Sequence, residues 1–484
     1  MRSLALLVAV VLAYCLAAAG EWIMGRRSRT LTDWNISFQV GVSLTATLFI
    51  PLSLLFHGYA LNATGVGLIL AGAWGGVRRR GVVFARLAPV TRSVPTKGWA
   101  GWLMLAVLFL AVAQFAIENY RFTYIWDGYQ IWATKALVIY DRGSLTQDLL
   151  TPHESDLMRL PNCCDGTERV TGYPQTVSLL EALIAKPEGR FNWEAVKAIF
   201  PILFVSLIFS TYQAARAFVP RTVALAACTL LVLVPAVSLK ESIGGYADMP
   251  QAVLVAGSMA AVLMARGSGM ASYRLAAPWV LGGMVMVKSE GFILFGVACA
   301  VIAVTWASRG PQKFVAALRA YSGAILVALS CAAMRVLYLN WVSATDPTYG
   351  PFDKRHFMMA YQRLWDVPAI CAHYMFDRAT WGVFWPVFFL AVPVVIWKGD
   401  GKVRALTAAI LTALAAYTGV FYFTNWEIHL HIEQAYSRLL VHLSPVAAVL
   451  VVVAYQYLAA GRLAGSESTP ATPTFPQTKR PLAQ

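Results

Sequence analysis

Thirteen apolar runs of bilayer-crossing length decide what this chain can be. They lie near 4–24, 37–56, 60–77, 99–117, 197–219, 222–239, 250–265, 275–287, 291–307, 316–338, 382–397, 403–424 and 438–460. A hydrocarbon core about 30 Å thick takes roughly 20 helical residues to cross. In lipid the backbone must also satisfy its own hydrogen bonds, which a helix does within itself. The pair 275–287 and 291–307 is short on both sides of Lys288-Ser289-Glu290, and reads either as two tilted helices or as one helix with a break. Only 13% of residues are charged and 58% are hydrophobic, against about 25% charged in a soluble domain. A water-soluble globule, a coiled coil and a collagen-like chain are therefore excluded. The expected class is an all-α polytopic membrane protein with about 13 transmembrane helices.

The net charge of +15 would suggest nucleic acid in a soluble protein. Here it reads as cytoplasmic loops rich in Lys and Arg, and no nucleic-acid partner is expected. Arg26, Arg27 and Arg29 follow the first run; Arg78, Arg79, Arg80, Arg86, Arg92 and Lys97 follow the third. Later clusters at Arg216 and Arg221, Arg266 and Arg274, Arg309 to Arg319, and Lys398 to Arg404 alternate in the same sense. Placing all of them inside puts the N-terminus outside and the C-terminus in the cytoplasm. A cleaved signal peptide over Leu4–Gly20 is the rival for the first run and would leave twelve spans. The expected division is three N-terminal helices with a basic loop over 1–98, a transmembrane module over 99–460, and a Pro/Ser/Thr-rich disordered tail over 461–484.

Two outer segments, about 118–197 and 340–381, are too long to be plain connectors. From Trp126 onward, Trp and aliphatic residues recur at helical spacing while Lys135, Asp141 and Arg142 fall elsewhere, the pattern of an amphipathic interfacial helix. A second such stretch, Gln175–Lys186, follows Tyr173-Pro174. Further ionisable groups stand at the outer ends of spans: Lys240, Glu241, Tyr246 and Asp248; Lys288 and Glu290; then Glu427, His429, His431, Glu433 and Arg438, with His442 one turn inside the last run. Such groups at membrane depth mark function by default and are usually paired. Cys163 and Cys164 in the first outer segment and Cys371 in the second face the oxidising side, so a bridge to Cys371, a vicinal pair and free thiols all stay open.

These residues resemble the integral-membrane glycosyltransferases of the C superfamily (GT-C), particularly the bacterial relatives of protein O-mannosyltransferases and the lipid A aminoarabinose transferase. The likeness is carried by Trp126-Asp127-Gly128 with Trp132 and Lys135-Ala136, the Tyr173-Pro174 step, Gly245-Tyr246-Ala247-Asp248-Met249-Pro250, Lys288-Ser289-Glu290-Gly291, and Ser437-Arg438 leading to His442-Leu443-Ser444-Pro445. It covers about residues 100–460. Two features depart from the family: three spans precede the helix that leads into the first outer loop, and a single acid, Asp127, stands where many members carry an adjacent pair. The resemblance implies a GT-C-like fold, a polyprenyl-phosphate sugar donor, an envelope acceptor (glycan, glycolipid or protein) and a membrane-lipid environment at the outer face of the cytoplasmic membrane.

Transfer from such a donor needs one general base to take the acceptor's proton and cations to hold the phosphate as charge grows on it. Direct displacement inverts the anomeric carbon. Asp127 is the expected base, against a helix cap or a structural partner for Lys135. Asp248 is the second acid, orienting the acceptor or binding a cation, against an N-cap ahead of Pro250. Lys288 and Arg438 are the expected phosphate clamps, against plain pairing with Glu290 and Glu433. Lys135 and Lys240 are further candidates, with Tyr173, Tyr246, Glu290 and His431 as substrate contacts. No cofactor is certain; a divalent cation is possible, and the His429/His431/Glu433 run reads as acceptor contact rather than a metal site. A lipid or solute transporter and a non-catalytic envelope-assembly subunit are the rival functions.

Overall fold

The computed structural model describes residues 2–25, 30–79, 98–122, 124–125, 127–145, 172–265, 271–342 and 353–464. Trp126, Cys163, Cys164, the clusters at Arg26–Arg29 and 80–97, and the tail beyond Ala464 lie outside the described residues, as do the expectations placed on them.

Each of the thirteen apolar runs contains a helix. Helices α1 (Arg2–Ile23), α2 (Leu31–Leu55) and α3 (Ala60–Arg79) precede α4 (Trp99–Arg121). In the first outer segment a π-helical turn, Gly128–Ala133, runs into α5 (Thr134–Arg142), and α6 (Thr176–Ala185) follows. Then come α7 (Ile199–Arg216), α8 (Arg221–Val232), α9 (Asp248–Ala265), α10 (Ala271–Gly283), α11 (Gly291–Ala307), α12 (Pro311–Ala320) and α13 (Ser322–Trp341). The second outer segment folds as α14 (Lys354–Gln362), α15 (Asp366–Met375) and α16 (Arg378–Trp381). The chain ends with α17 (Phe384–Lys398), α18 (Gly401–Val420) and α19 (Ile428–Ala464). Among the described residues, 9 helices are long and apolar enough to cross a membrane, and α8, α11 and α17 are shorter apolar helices. The chain is a multi-pass membrane protein.

Helix α9 forms the centre, packed by α7, α10 and α19. The three N-terminal helices are not peripheral to it. Helices α1 and α2 meet through glycine: a Cβ on Gly20 would stand 1.9 Å from the Ser37 carbonyl, and one on Gly41 1.9 Å from that of Leu16. Small residues of this kind let membrane helices approach closely. Helix α2 then docks on α7 by a polar ladder, with Asn35 donating to Ser210 at 2.9 Å and Gln39 to Ser206 at 2.9 Å and Ser210 at 2.6 Å.

Several boundaries differ from those the apolar runs imply. Lys288-Ser289-Glu290 does separate two helices, α10 and α11, reached through a 3-10 turn over Met284–Met286. Residues 311–320 form the separate α12 rather than the start of a span, so α13 begins at Ser322. Helix α19 starts ten residues earlier than hydropathy suggests, because Glu427 caps its free N–H groups: its carboxylate accepts from His429 N at 3.0 Å and Leu430 N at 2.7 Å. The same helix continues through Ala464, four residues into the expected tail. Helix α6 is buried at every position, not along one stripe.

Candidate active site

Two segments far apart in sequence are stitched together at the ends of α4 and α9. The turn before α9 holds Gly244 and Gly245 at φ 88° and 83°, the left-handed region that favours glycine. Ile125 N–H donates to the Gly244 carbonyl at 3.1 Å. A Cβ on Gly245 would meet the Tyr124 ring at 2.2 Å, and one on Gly128 would meet the Gly244 oxygen at 2.0 Å. Only glycine fits at either contact. The segment carrying Asp127 is thereby seated on the turn carrying Tyr246 and Asp248.

The third contributor is α19. Pro445 cannot donate to the carbonyl of Val441; the Ser444 hydroxyl donates to it instead at 2.8 Å. Around this irregular turn, Arg438 and His442 face the two acids. Arg438 Nη1 donates to Asp127 Oδ2 at 2.6 Å, and its guanidinium lies 4.8 Å from the centre of the Tyr246 ring. Asp248 Oδ1 accepts from Lys288 Nζ at 2.7 Å and lies 3.0 Å from His442 Nε2. Lys288 also reaches Glu290 at 3.2 Å, and His442 Nδ1 is 2.8 Å from the Tyr417 hydroxyl. Asp248 Oδ2 and Glu290 Oε2 are buried without partners among the described residues. Burial pushes the Glu241 carboxyl up, with Asp248 adding to the rise while Arg438, Lys240 and Lys288 oppose it. Burial likewise raises the Tyr246 phenol to about 12 against the pull of Arg438.

Asp127, Tyr246, Asp248, Lys288, Glu290 and Arg438 thus meet in one cluster, in which Asp248 and Lys288 are buried and the other four half-buried. The capping alternatives are not realised. Asp127 makes no side-chain cap bond at the π-helical turn, and Asp248 spends its bonded oxygen on Lys288 and His442. Arg438 pairs with Asp127 rather than with Glu433, which is exposed.

Other expected contacts fall elsewhere. Lys135, fully buried, donates to the Tyr173 carbonyl and lies 3.4 Å from the Tyr338 hydroxyl. It forms a second cationic patch with Arg335, which donates to the Gly172 carbonyl and lies 5.3 Å from the centre of the Tyr338 ring. Burial, then Arg335, lowers the Lys135 ammonium well below its usual range. Tyr173 joins this patch through its carbonyl, and its ring packs edge-on against Trp132. Lys240 donates to the Thr380 hydroxyl at 3.1 Å. His431 is bonded to Thr424 at 2.6 Å and packed by Phe421 and Trp426, which is a structural setting. The His429/His431/Glu433 run lies in the first two turns of α19, so His429 and Glu433 share a face while His431 turns away from them. Among the described residues no group of three or more His, Cys, Asp or Glu side chains is placed to hold a metal. The bonded oxygens of Asp127 and Asp248 already face cations, a poor donor set for a divalent ion.

Arg335, Tyr417 and His442 belong to these centres without having been assigned roles from sequence. The available signal was an ionisable residue inside an apolar run, as at Arg335 and His442. Beside the cluster an apolar cleft runs between α9, α11, α18 and α19; Met284 and Leu443 line its near end and Thr305 and Lys402 its far end. Cys371 is a buried free thiol, which burial pushes up to about 12.

No family model and no curated protein matches the chain. Among solved structures it is similar to the oligosaccharyltransferase AglB from Archaeoglobus fulgidus in complex with an inhibitory peptide and a dolichol-phosphate, at 12% identity and a TM-score of 0.46, covering 78% of this chain and 53% of that one. It is also similar to ArnT from Cupriavidus metallidurans bound to undecaprenyl phosphate, at 12% identity and a TM-score of 0.48, covering 76% of this chain and 64% of that one. The chain therefore spans about half the length of the archaeal protein.

Proposed function

We propose that the protein is a glycosyltransferase that moves a sugar from a polyprenyl-phosphate donor to an envelope acceptor at the outer face of the cytoplasmic membrane. The observation that carries this reading is the joint cluster of Asp127–Arg438 and Asp248–Lys288: two acids and two cations from four segments, at one end of a helical bundle, beside an apolar cleft. We assign the catalytic module to residues 99–460, with the N-terminus outside and the C-terminus in the cytoplasm.

The chemistry asks for little. The acceptor hydroxyl attacks the anomeric carbon, the bond from that carbon to the phosphate oxygen breaks with its electrons, and the proton passes to Asp127. The configuration inverts. Polyprenyl phosphate leaves without protonation, and its charge is held by Arg438 and Lys288. Asp248, oriented by Lys288 and His442, holds the acceptor. Before donor binds, Arg438 occupies the carboxylate that must act as base; a phosphate competes for the same guanidinium and so releases it. Base activation is thereby tied to occupancy. The apolar cleft supplies a surface for the isoprenoid chain, and the buried Arg335 guanidinium beside Lys135 adds positive potential.

Replacing Asp127 by Asn keeps the shape and removes the base. D127N is expected to lower transfer by about 10²–10⁴-fold while polyprenyl phosphate still binds. Mass spectrometry of envelope glycans and glycolipids from cells with the protein, without it and with D127N tests this: one sugar should vanish from one species in both defective strains. An unchanged glycan profile in the strain lacking the protein defeats the reading.

A further inference from the structure

One fully buried acid has no part in the reaction just described. Glu181, in α6, has no exposed surface. Its Oε1 accepts from the Tyr124 hydroxyl at 2.7 Å, and its Oε2 meets no partner among the described residues. A carboxyl so placed is costly, and a helix whose other residues are all uncharged does not need one to pack. Tyr124 explains its presence. That residue lies three positions before Asp127, and its ring presses on Gly245 so closely that no Cβ fits between them. It is the wedge that seats the Asp127 segment on the Tyr246–Asp248 turn. Lys197, also buried, lies on the other side, 5.4 Å from the centre of the Tyr124 ring, and donates to the Phe122 carbonyl. Among the described residues, Tyr124 and Lys197 are the titratable groups that act on Glu181.

We propose that Glu181 is a positioning residue for the transfer centre: by fixing Tyr124 it sets the spacing between Asp127 and Asp248, and it couples that spacing to the proton on its own carboxyl. The consequence for catalysis rests on the sugar-transfer reading; the brace itself concerns only residues 124–128 and 242–248.

Burial raises the Glu181 carboxyl from 4.5 to about 8, against the opposing pulls of the Tyr124 hydrogen bond and Lys197. When the segment opens, the carboxyl meets water and returns to its ordinary range. The closed form therefore holds a proton that the open form releases. The stabilisation is complete below pH 4.5, is lost progressively as pH rises to about 8, and changes no further above that. Within the window the open-to-closed ratio rises about tenfold per pH unit.

Hydrogen exchange on the full chain in lipid nanodiscs, corrected for intrinsic exchange and followed from about pH 5.5 to 9, reads this directly. Peptides over 124–129 and 242–248 are expected to open about tenfold more per unit up to about pH 8 in the wild type, and to show no slope in E181Q, which cannot ionise. Equal slopes in the two proteins overturn the proposal. Y124F keeps the wedge ring and loses its hydroxyl, and should open more at every pH below 8; unchanged opening there also overturns it. Native mass spectrometry with a polyprenyl phosphate runs alongside, and its affinity should fall over the same pH window in the wild type only. The slope without any lipid binding would sink the transfer reading and keep the brace. Lipid binding with equal slopes would do the reverse.

Discussion

Arg335 and Arg438 put the same group in opposite circumstances. Arg438 has a carboxylate and an aromatic face, so its charge is compensated where it stands. Arg335 is 1% exposed, and its Nε and Nη1 have no partner among the described residues. Leaving a buried donor unmet costs about 1–3 kcal/mol, and a fixed cation beside Lys135 adds repulsion. R335M should therefore stabilise the ligand-free protein by about 1–3 kcal/mol while weakening its hold on a polyprenyl phosphate. Thermal unfolding in detergent with and without the lipid tests both halves. A variant that is less stable without ligand would show that Arg335 is needed for packing alone. The Asp248–Lys288–His442 group differs again: all three are buried and both Lys288 and His442 bond to Asp248, so removing Asp248 strands the other two, and loss of function there would not separate chemistry from folding.

Among elements, the double-glycine turn is the least replaceable. Gly245 combines a left-handed backbone with a neighbour where a side chain would stand, and G245A should cost about 1–3 kcal/mol from the backbone alone. The ring of Tyr124 must then also move, so transfer should fall by more than stability does. G245A/Y124A removes the clash but not the left-handed strain, and it strands Glu181, whose donor is lost, so it should recover neither stability nor transfer, read by thermal unfolding and the glycan assay together. Most helices were legible in the sequence because a span is written as an uninterrupted apolar run, and even the break at Lys288-Ser289-Glu290 was visible. The outer ten residues of α19 were not, since Glu427, His429, His431 and Glu433 suppress hydropathy while the cap that starts the helix is a local hydrogen-bond event. Of the site, Asp127, Asp248, Lys288 and Arg438 could be read from ionisable residues at span ends. Their pairing could not: Arg438 is five residues from Glu433 and 311 from Asp127, and sequence proximity favours the wrong partner. Arg335 carried a signal, a charge inside an apolar run, but its neighbours Lys135 and the Gly172 carbonyl are far off in sequence; the role of Glu181 depends likewise on Tyr124, 57 residues away.

At the scale of the molecule, the first three helices share their core with the rest. The ladder from Asn35 and Gln39 to Ser206 and Ser210 crosses from α2 to α7, and Tyr273 of α10 donates to Asp33 at 2.7 Å. Gln39 occupies the space a side chain at position 257 would need, since a Cβ on Gly257 would lie 1.6 Å from its oxygen. Each interhelical bond of this type is worth about 0.6 kcal/mol, so the ladder sets register more than it adds stability. The orientation proposed from the basic loops makes a direct prediction. In a cysteine-free background, R355C should react with an impermeant maleimide in intact cells, and S308C only after the membrane is opened. The reverse labelling would turn the candidate site toward the cytoplasm and remove it from the envelope.

The missing Cβ atoms at 128 and 245 have a consequence for anyone who wishes to rebuild this protein. Because backbone meets backbone and ring there, with no side chain to absorb an error, neither strip of chain can be exchanged for a foreign counterpart by itself. A working hybrid has to import both strips as one block. Specificity grafts limited to the long segment between α4 and α7 are expected to fail by mismatch at this seam, whatever their new lining would recognise.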